Sequence, residues 1–416
     1  MCTGHRGLGA NTYDNDPLFL KPKGKVAEEC LRRHRKPREA DPIGGGYYRE
    51  NSLEGVRLAS EHGSEKFIEV DCQLTRDGQV VLWHDDYVHY ERRNPTTGAW
   101  ESERKRVCDI TYDELARVSS SSDNDEEWHL MREFQMSREH SETELTRWAN
   151  PPSSTESTAS GGDGSAIDGS GDTPTEEVTI SKKKSGMCAP RLRDLLSSTP
   201  PSMGLNIEIK LFQDGEDVAA GADRSSPEIS DEENRQNLVR AIFDDISEHL
   251  HMAAATGQQR RQIFFSSFSP DACVEMHNLL ERATREVEDG APVRADCPVY
   301  FLTDLKQSHT DSRRTTFEAA VEFARGQGLD GVVCESSMLL KQIDASDDDS
   351  DAGSESSVSS AMSNAKAEFG LEIATYGLSN NDNELVMRQI EHGVTSIITD
   401  FPTELSSILF EASPRR

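Results

Sequence analysis

The chain has 416 residues, 75 acidic against 45 basic side chains and a formal charge of −30, a balance that argues against a nucleic-acid-binding protein. No apolar run reaches the length of a membrane span, and the start Met1-Cys2-Thr3-Gly4-His5 lacks the apolar region of a signal peptide. Eight scattered cysteines without a C-x-x-C pair or zinc-type spacing fit a reduced, cytoplasmic setting.

In chain order, the first candidate strand is His5–Gly7, where an imidazole and a guanidinium sit between glycines. Only Met1–Gly4 precede it, which predicts either a very short first strand or a chain that starts late, after an upstream regulatory domain. A helix is expected after Glu50-Asn51-Ser52, with Leu53, Val56 and Ala59 at helical spacing and a stop at His62-Gly63. It leads into Phe67–Cys72, where a period of two puts Glu69 and Asp71 on one face and Ile68, Val70 and Cys72 on the other.

Asp77-Gly78 is a favoured pair for a type I′ hairpin turn. Counting outward pairs Leu74 with Val81, Cys72 with Trp83 and Asp71 with His84, which sets an imidazole beside two carboxylates. An isolated Glu-x-Asp is most often part of a solvated edge. Two other segments weigh against that reading here. Leu205–Lys210 is a second apolar strand pattern with Glu208 and Lys210 on one face, and His5-Arg6 adds a second imidazole and a guanidinium. Buried carboxylates need a cation or a protein partner. The combined set suits a metal-assisted reaction at an anionic phosphate.

Further strands are expected at Gln262–Phe268, Val299–Leu302, Gly331–Cys334, Leu371–Tyr376 and Ser396–Thr399, with helices over Asp271–Glu281, Thr316–Gln327 and Asn383–His392. With the returning hairpin strand set aside, the strands number eight and alternate with helices, which predicts an α/β fold, the TIM (β/α)8 barrel, as a single domain over residues 1–416. The hairpin would project at the C-terminal mouth. Polar tracts near 13–48, 119–186, 213–233 and 344–368 are expected to be disordered loop insertions, since their composition buries too little apolar surface to order itself. Within them, Glu126–Trp148 has the apolar pattern of a local amphipathic helix.

The set His5-Arg6-Gly7, Glu50-Asn51-Ser52, Glu69-Val70-Asp71, Thr75-Arg76-Asp77-Gly78, His84-Asp85, Asn206-Ile207-Glu208-Ile209-Lys210, Ser266-Ser267-Phe268 and Thr399-Asp400-Phe401-Pro402 resembles the glycerophosphodiester phosphodiesterases. His5–Asn11 and Tyr376–Asp382 are similar to the eukaryotic cytosolic branch, whose members often cleave glycerophosphocholine. The resemblance implies a barrel that holds Mg²⁺ or Ca²⁺ on Glu69, Asp71 and Glu208, and two catalytic histidines, His5 and His84. It implies hydrolysis of small-molecule glycerophosphodiesters to glycerol 3-phosphate and an alcohol. Hard cations prefer oxygen ligands, which agrees with a cluster free of cysteine.

Arg6 is the candidate for a bidentate phosphate contact, with a structural ion pair as the alternative, and Lys210 for a point charge beside it. Glu50 reads either as an auxiliary ligand or as a carboxylate complementing a helix dipole. Tyr376 lines the pocket or packs beneath it. Two other functions stay open at this stage: phospholipase D-like action on lysophospholipids, and a catalytically silent barrel whose acidic loops bind partners.

Overall fold

Strands β2 (Phe67–Leu74), β7 (Gly204–Ile209), β8 (Ile263–Ser267), β9 (Val299–Thr303) and β12 (Ser396–Thr399) are buried along their whole length, the signature of parallel strands covered on both faces. The remaining strands are β1 (Cys2–Gly4), β3 (Val80–Leu82), β4 (Tyr87–Arg93), β5 (Trp100–Arg106), β6 (Trp128–Leu130), β10 (Gly331–Glu335) and β11 (Glu372–Tyr376). The helices are α1 (Leu53–His62), α2 (Tyr112–Ser120), α3 (Leu192–Ser198), α4 (Asp231–Thr256), α5 (Pro270–Glu286), α6 (Phe317–Gly326), α7 (Ser336–Asp348), α8 (Ser357–Ala367) and α9 (Asn383–Glu391). This computed structural model describes residues 2–4, 51–62, 67–120, 127–130, 189–211, 229–286, 297–306, 309–348, 357–399 and 405.

Among the described residues, eight parallel strands run in the order β1, β12, β11, β10, β9, β8, β7, β2, and β1 pairs again with β2. The sheet therefore closes on itself, with helices between successive strands, and the expected (β/α)8 barrel is borne out. Among the described residues the first strand is Cys2–Gly4, with Thr3 paired on one side with Ile398 and on the other with Phe67; the expected His5–Gly7 lies outside the described residues. Residues 5–50 lie outside the described residues, so the expected insertion at 13–48 does too.

Alternation along each strand separates two apolar layers. Ile68, Val70, Cys72, Leu205, Ile207 and Ile209 face the helices, whereas Phe67, Phe264, Tyr300, Leu302, Val333 and Ile398 fill the interior. The aromatic rings of Phe67, Phe264 and Tyr300 follow one another at 5.4 and 5.1 Å. Their bulk is matched by small neighbours. Gly204 pairs with Phe67, and a Cβ at that position would stand 2.4 Å from the ring, so only glycine fits.

Beyond Phe67 and Ile68, which pair with β1, the C-terminal end of β2 pairs antiparallel with β3. Its register pairs Cys72 with Leu82, Gln73 with Val81 and Leu74 with Val80, one position away from the expected pairing. A type I′ turn needs positive φ at both central residues. Here Gly78 has φ 76° and Asp77 is not among the residues with positive φ. Thr75 instead pairs with Gln79 around a three-residue Arg76–Gly78 loop of the G1-bulge type, with Thr75 N–H donating to the Gln79 carbonyl at 3.0 Å. Trp83, not His84, therefore stands opposite Asp71, its N–H 3.0 Å from the Asp71 carbonyl.

Beyond His84 the chain builds a small sheet, β5-β4-β6, packed with α2 around Val88, Tyr90, Ile110, Leu115 and Trp128. Trp128–Leu130 is a strand, not the start of the helix expected over Glu126–Trp148. Its pairing with β4 sets the Trp128 ring 5.5 Å from Tyr90. The rest of that stretch lies outside the described residues.

The tract at 344–368 also differs from expectation, since it contains α8, anchored by buried Val358, Met362 and Ala365. Helix α4 carries complete end signals that the acidic composition obscured. Ser230 caps the Glu233 N–H, acidic residues fill the first turn, and Gly257 ends it at φ 67°. At the end of the barrel opposite the mouth, the buried Arg261 guanidinium donates to the carbonyls of Thr199 at 2.6 Å, Met203 at 2.7 Å, Pro200 at 2.9 Å and Leu196 at 3.3 Å.

Candidate active site

Parallel register alone brings the acidic residues together. Asp71 pairs with Glu208 and Glu69 with Asn206, so four polar side chains share the inner face of β2 and β7 at the C-terminal end of the barrel. One carboxylate oxygen from each of Glu69, Asp71 and Glu208 lies within 4.8 Å of the other two, and all three residues are buried. Lys210 continues the alternation of β7. Its Nζ is 3.2 Å from Glu208 Oε1 and 3.6 Å from Asp71 Oδ1.

Asp71 is also held from outside the sheet. Asn51 Nδ2 donates to Asp71 Oδ2 at 2.9 Å, and Asp71 N–H donates to Asn51 Oδ1 at 3.1 Å. Asn51 has φ 53°, a left-handed conformation that asparagine tolerates better than most residues. Asn206 accepts from Ser266 Oγ at 2.9 Å, which ties the layer to β8.

Burial makes the charge balance of this cluster demanding. Three carboxylates taken out of water repel one another at short range, and one ammonium offsets only part of that. Cys72, on the opposite face of β2, registers the field: burial first, then the Asp71 and Glu69 charges, push its thiol well up. An all-oxygen donor set of this kind fits a hard divalent cation and excludes thiolate ligation.

His84 is positioned by two polar contacts rather than by strand register. Gln73, two residues beyond Asp71 on the same face, donates from Nε2 to the carbonyls of Asp85 at 2.8 Å, Trp83 at 2.9 Å and His84 at 3.3 Å. The His84 ring is buried, with Nδ1 2.9 Å from Asp85 Oδ1. An ionised Asp85 favours the tautomer with hydrogen on Nδ1, which leaves Nε2 as the ring's proton acceptor.

Of the residues proposed from sequence, Glu69, Asp71, Glu208 and Lys210 come together, and His84 follows the residue paired with Asp71. His5, Arg6 and Glu50 lie outside the described residues. Tyr376 packs edge-on against Phe268, ring centroids 5.9 Å apart, at the same mouth. Sequence reasoning did not single out Asn51, Gln73 or Asp85, whose roles depend on contacts rather than on periodicity. Among the described residues no helix is long and apolar enough to cross a membrane.

Residues 44–404 match the Glycerophosphoryl diester phosphodiesterase family. The glycerophosphodiester phosphodiesterase GDPD2 of Arabidopsis thaliana is 23% identical over 403 residues, 97% of this chain and 75% of that protein. The glycerophosphocholine phosphodiesterase gde1 of Schizosaccharomyces pombe is 24% identical over 412 residues, 95% of this chain but only 27% of that protein. Among solved structures, an Oleispira antarctica phosphodiesterase in complex with sn-glycerol-3-phosphate aligns over 99% of this chain and 96% of its own, at 14% identity and a TM-score of 0.48. The resemblance read from the motifs is borne out, and the chain belongs to the glycerophosphoryl diester phosphodiesterase family, a family of phosphoric diester hydrolases.

Proposed function

We propose that the chain is a single cytoplasmic catalytic domain that hydrolyses glycerophosphodiesters, glycerophosphocholine among them, to glycerol 3-phosphate and an alcohol with the help of Mg²⁺ or Ca²⁺. The observation that carries this reading is the buried cluster of Glu69, Asp71 and Glu208 with Lys210 at the barrel mouth. Those three carboxylates would hold the ion, whose chemistry is to neutralise charge on the phosphodiester and lower the pKa of an oxygen nucleophile.

The chain's own groups supply the rest. Lys210 is a point charge that turns from the carboxylates toward the phosphate, and Arg6 a bidentate contact to its oxygens. His84 exchanges a proton through Nε2, held in that tautomer by Asp85. His5 is the second acid–base group. As the phosphorus–oxygen bond to the alcohol breaks, one imidazole has taken the proton of the attacking hydroxyl and the other delivers one to the departing oxygen. Glu50, on the residue before Asn51, serves as an auxiliary ligand.

The test is production of glycerol 3-phosphate from glycerophosphocholine with Mg²⁺ or Ca²⁺, with and without chelator. Chelation should abolish the product, and His84→Ala should lower kcat by at least about a hundredfold. Chelator-resistant turnover, or full activity in His84→Ala, would contradict the assignment. Lysophosphatidylcholine as a parallel substrate separates this reading from lipid cleavage.

A further inference from the structure

The mouth carries a second charged group on the side away from β2. Asp304 lies one residue past β9 and continues the inward alternation of Tyr300 and Leu302. Its carboxylate is met by Arg314 Nη2 at 3.4 Å, by Lys306 Nζ at 3.4 Å and by the His309 ring. Burial opposes its ionisation, but Arg314, then His309 and Lys306, outweigh that and hold the Asp304 carboxyl below its ordinary value. The Asp304 carboxylate thus faces two permanent cations and an imidazole, while Asp311, another acid that feels Arg314, is taken up by its own partner Arg313 at 2.7 Å, which leaves a local positive surplus in a chain of formal charge −30. A cluster that served only as internal ion pairing would gain most by being balanced.

The backbone holds this group in place at a cost. Leu305 has φ 53°, a left-handed conformation that leucine rarely adopts, and is fully buried. Thr303 Oγ1 accepts the Leu305 N–H at 3.1 Å and donates to the Arg314 carbonyl at 3.0 Å, which joins both ends of the loop to β9.

The Arg314 guanidinium lies 5.1 Å from the centroid of Phe268, and the Lys210 ammonium lies 5.9 Å from the same ring. The cation beside the carboxylate cluster and the cation beside Asp304 therefore lie near one aromatic ring. The Arg314 side chain is 12% exposed, and its Nε has no hydrogen-bond partner among the described residues. A ring that already carries two protein cations is a poor seat for a trimethylammonium group.

We propose that Arg314, Lys306 and His309, gathered round Asp304 beside the Phe268 ring that Lys210 also approaches, form an anion subsite for a negatively charged substituent on the alcohol half of a glycerophosphodiester. The proposal rests on the phosphodiesterase reading above and adds a substrate preference to it. Glycerophosphoserine and glycerophosphoethanolamine differ by one carboxylate, so the ratio of their kcat/KM values isolates the subsite and is unmoved by loss of folded enzyme.

The wild type should favour the serine diester by about tenfold, the worth of one charge-assisted hydrogen bond. Arg314→Gln should bring the ratio near one, and Arg314→Lys should keep part of the preference. A wild-type ratio of one or below, or an unchanged ratio in Arg314→Gln, overturns the subsite while leaving the phosphodiesterase reading intact. Cleavage of glycerophosphocholine but of neither diester also overturns the subsite; if the wild type cleaves none of the three, the phosphodiesterase reading fails instead, and the subsite is judged by calorimetry with O-phosphoserine. Binding about tenfold weaker in Arg314→Gln then supports the subsite, and equal binding overturns it.

Discussion

Asn51→Ala removes both hydrogen bonds that hold Asp71 from outside the sheet. The carboxylate left behind is 1% exposed, so water cannot replace the lost amide. Losing a hydrogen bond to a buried carboxylate costs roughly 1.5–3 kcal/mol, and losing the neutral one about 1 kcal/mol. Alanine at φ 53° adds about 1 kcal/mol of left-handed strain. The expected loss of unfolding free energy is therefore about 4 kcal/mol, a large share of the stability of a typical domain. Asn51→Gly loses the same hydrogen bonds without the backbone strain and should be about 1 kcal/mol more stable than the alanine variant. Urea unfolding measures both. Titration of the folded variants with Mg²⁺ or Ca²⁺ should show affinity reduced by about tenfold, because a ligand's orientation is set by the groups behind it. An alanine variant within about 1 kcal/mol of wild type, or a glycine variant less stable than alanine, would refute the clamp.

Lys210→Met leaves the registered pair Asp71 and Glu208 without their ammonium, so Tm should fall by several degrees without divalent ion and recover most of that loss at saturating Mg²⁺ or Ca²⁺. The same deficit with and without ion would contradict a shared cation position. Arg261→Met leaves the buried carbonyls of Leu196, Thr199 and Met203 short of a donor and should cost about 3 kcal/mol in urea, while kcat of the folded protein stays unchanged because the residue lies at the far end of the barrel. His89 is held below its ordinary pKa by burial and then Arg104, and His249 by burial and then Arg261. As pH falls through and below about 6.5 the unfolded chain takes up protons that the native chain refuses, so stability should fall with pH in that window. Urea midpoints between pH 7.5 and 5 should show a shallower decline in the double variant His89→Gln/His249→Gln, and an unchanged slope would exclude these two groups.

The barrel was legible because its strands are short apolar runs bounded by turns, and because inward parity at a strand's C-terminal end is enough to place Glu69, Asp71 and Glu208. The hairpin register was not. Asp-Gly fits two loop geometries, and the choice rests on Thr75, whose Oγ1 accepts the Gln79 N–H at 3.0 Å and donates to Asp77 at 2.7 Å. Asn51 escaped because no periodicity encodes a side chain in a left-handed turn bonding to a strand twenty residues away. Asp304 and His309 lie in a loop and Arg314 ends the short 3-10 turn Ser312–Arg314, where spacing carries little information. Helix α8 was hidden by its serine-rich composition, although Val358, Met362 and Ala365 fall at helical spacing.

The position of Lys210 links cation binding to substrate binding. Three buried carboxylates on paired strands cannot move apart, since β2 and β7 are registered from Phe67 to Cys72, and the Lys210 ammonium offsets part of the charge of Glu208 and Asp71. A divalent cation held by the same oxygens would supply more charge than the ammonium and would free Lys210 from its pairs with Glu208 and Asp71. The Lys210 ammonium lies beside Phe268, with Arg314 near the same ring, so the field there would become more favourable to an anion. Cation and phosphodiester would thus strengthen each other's binding by the same factor, as linkage requires.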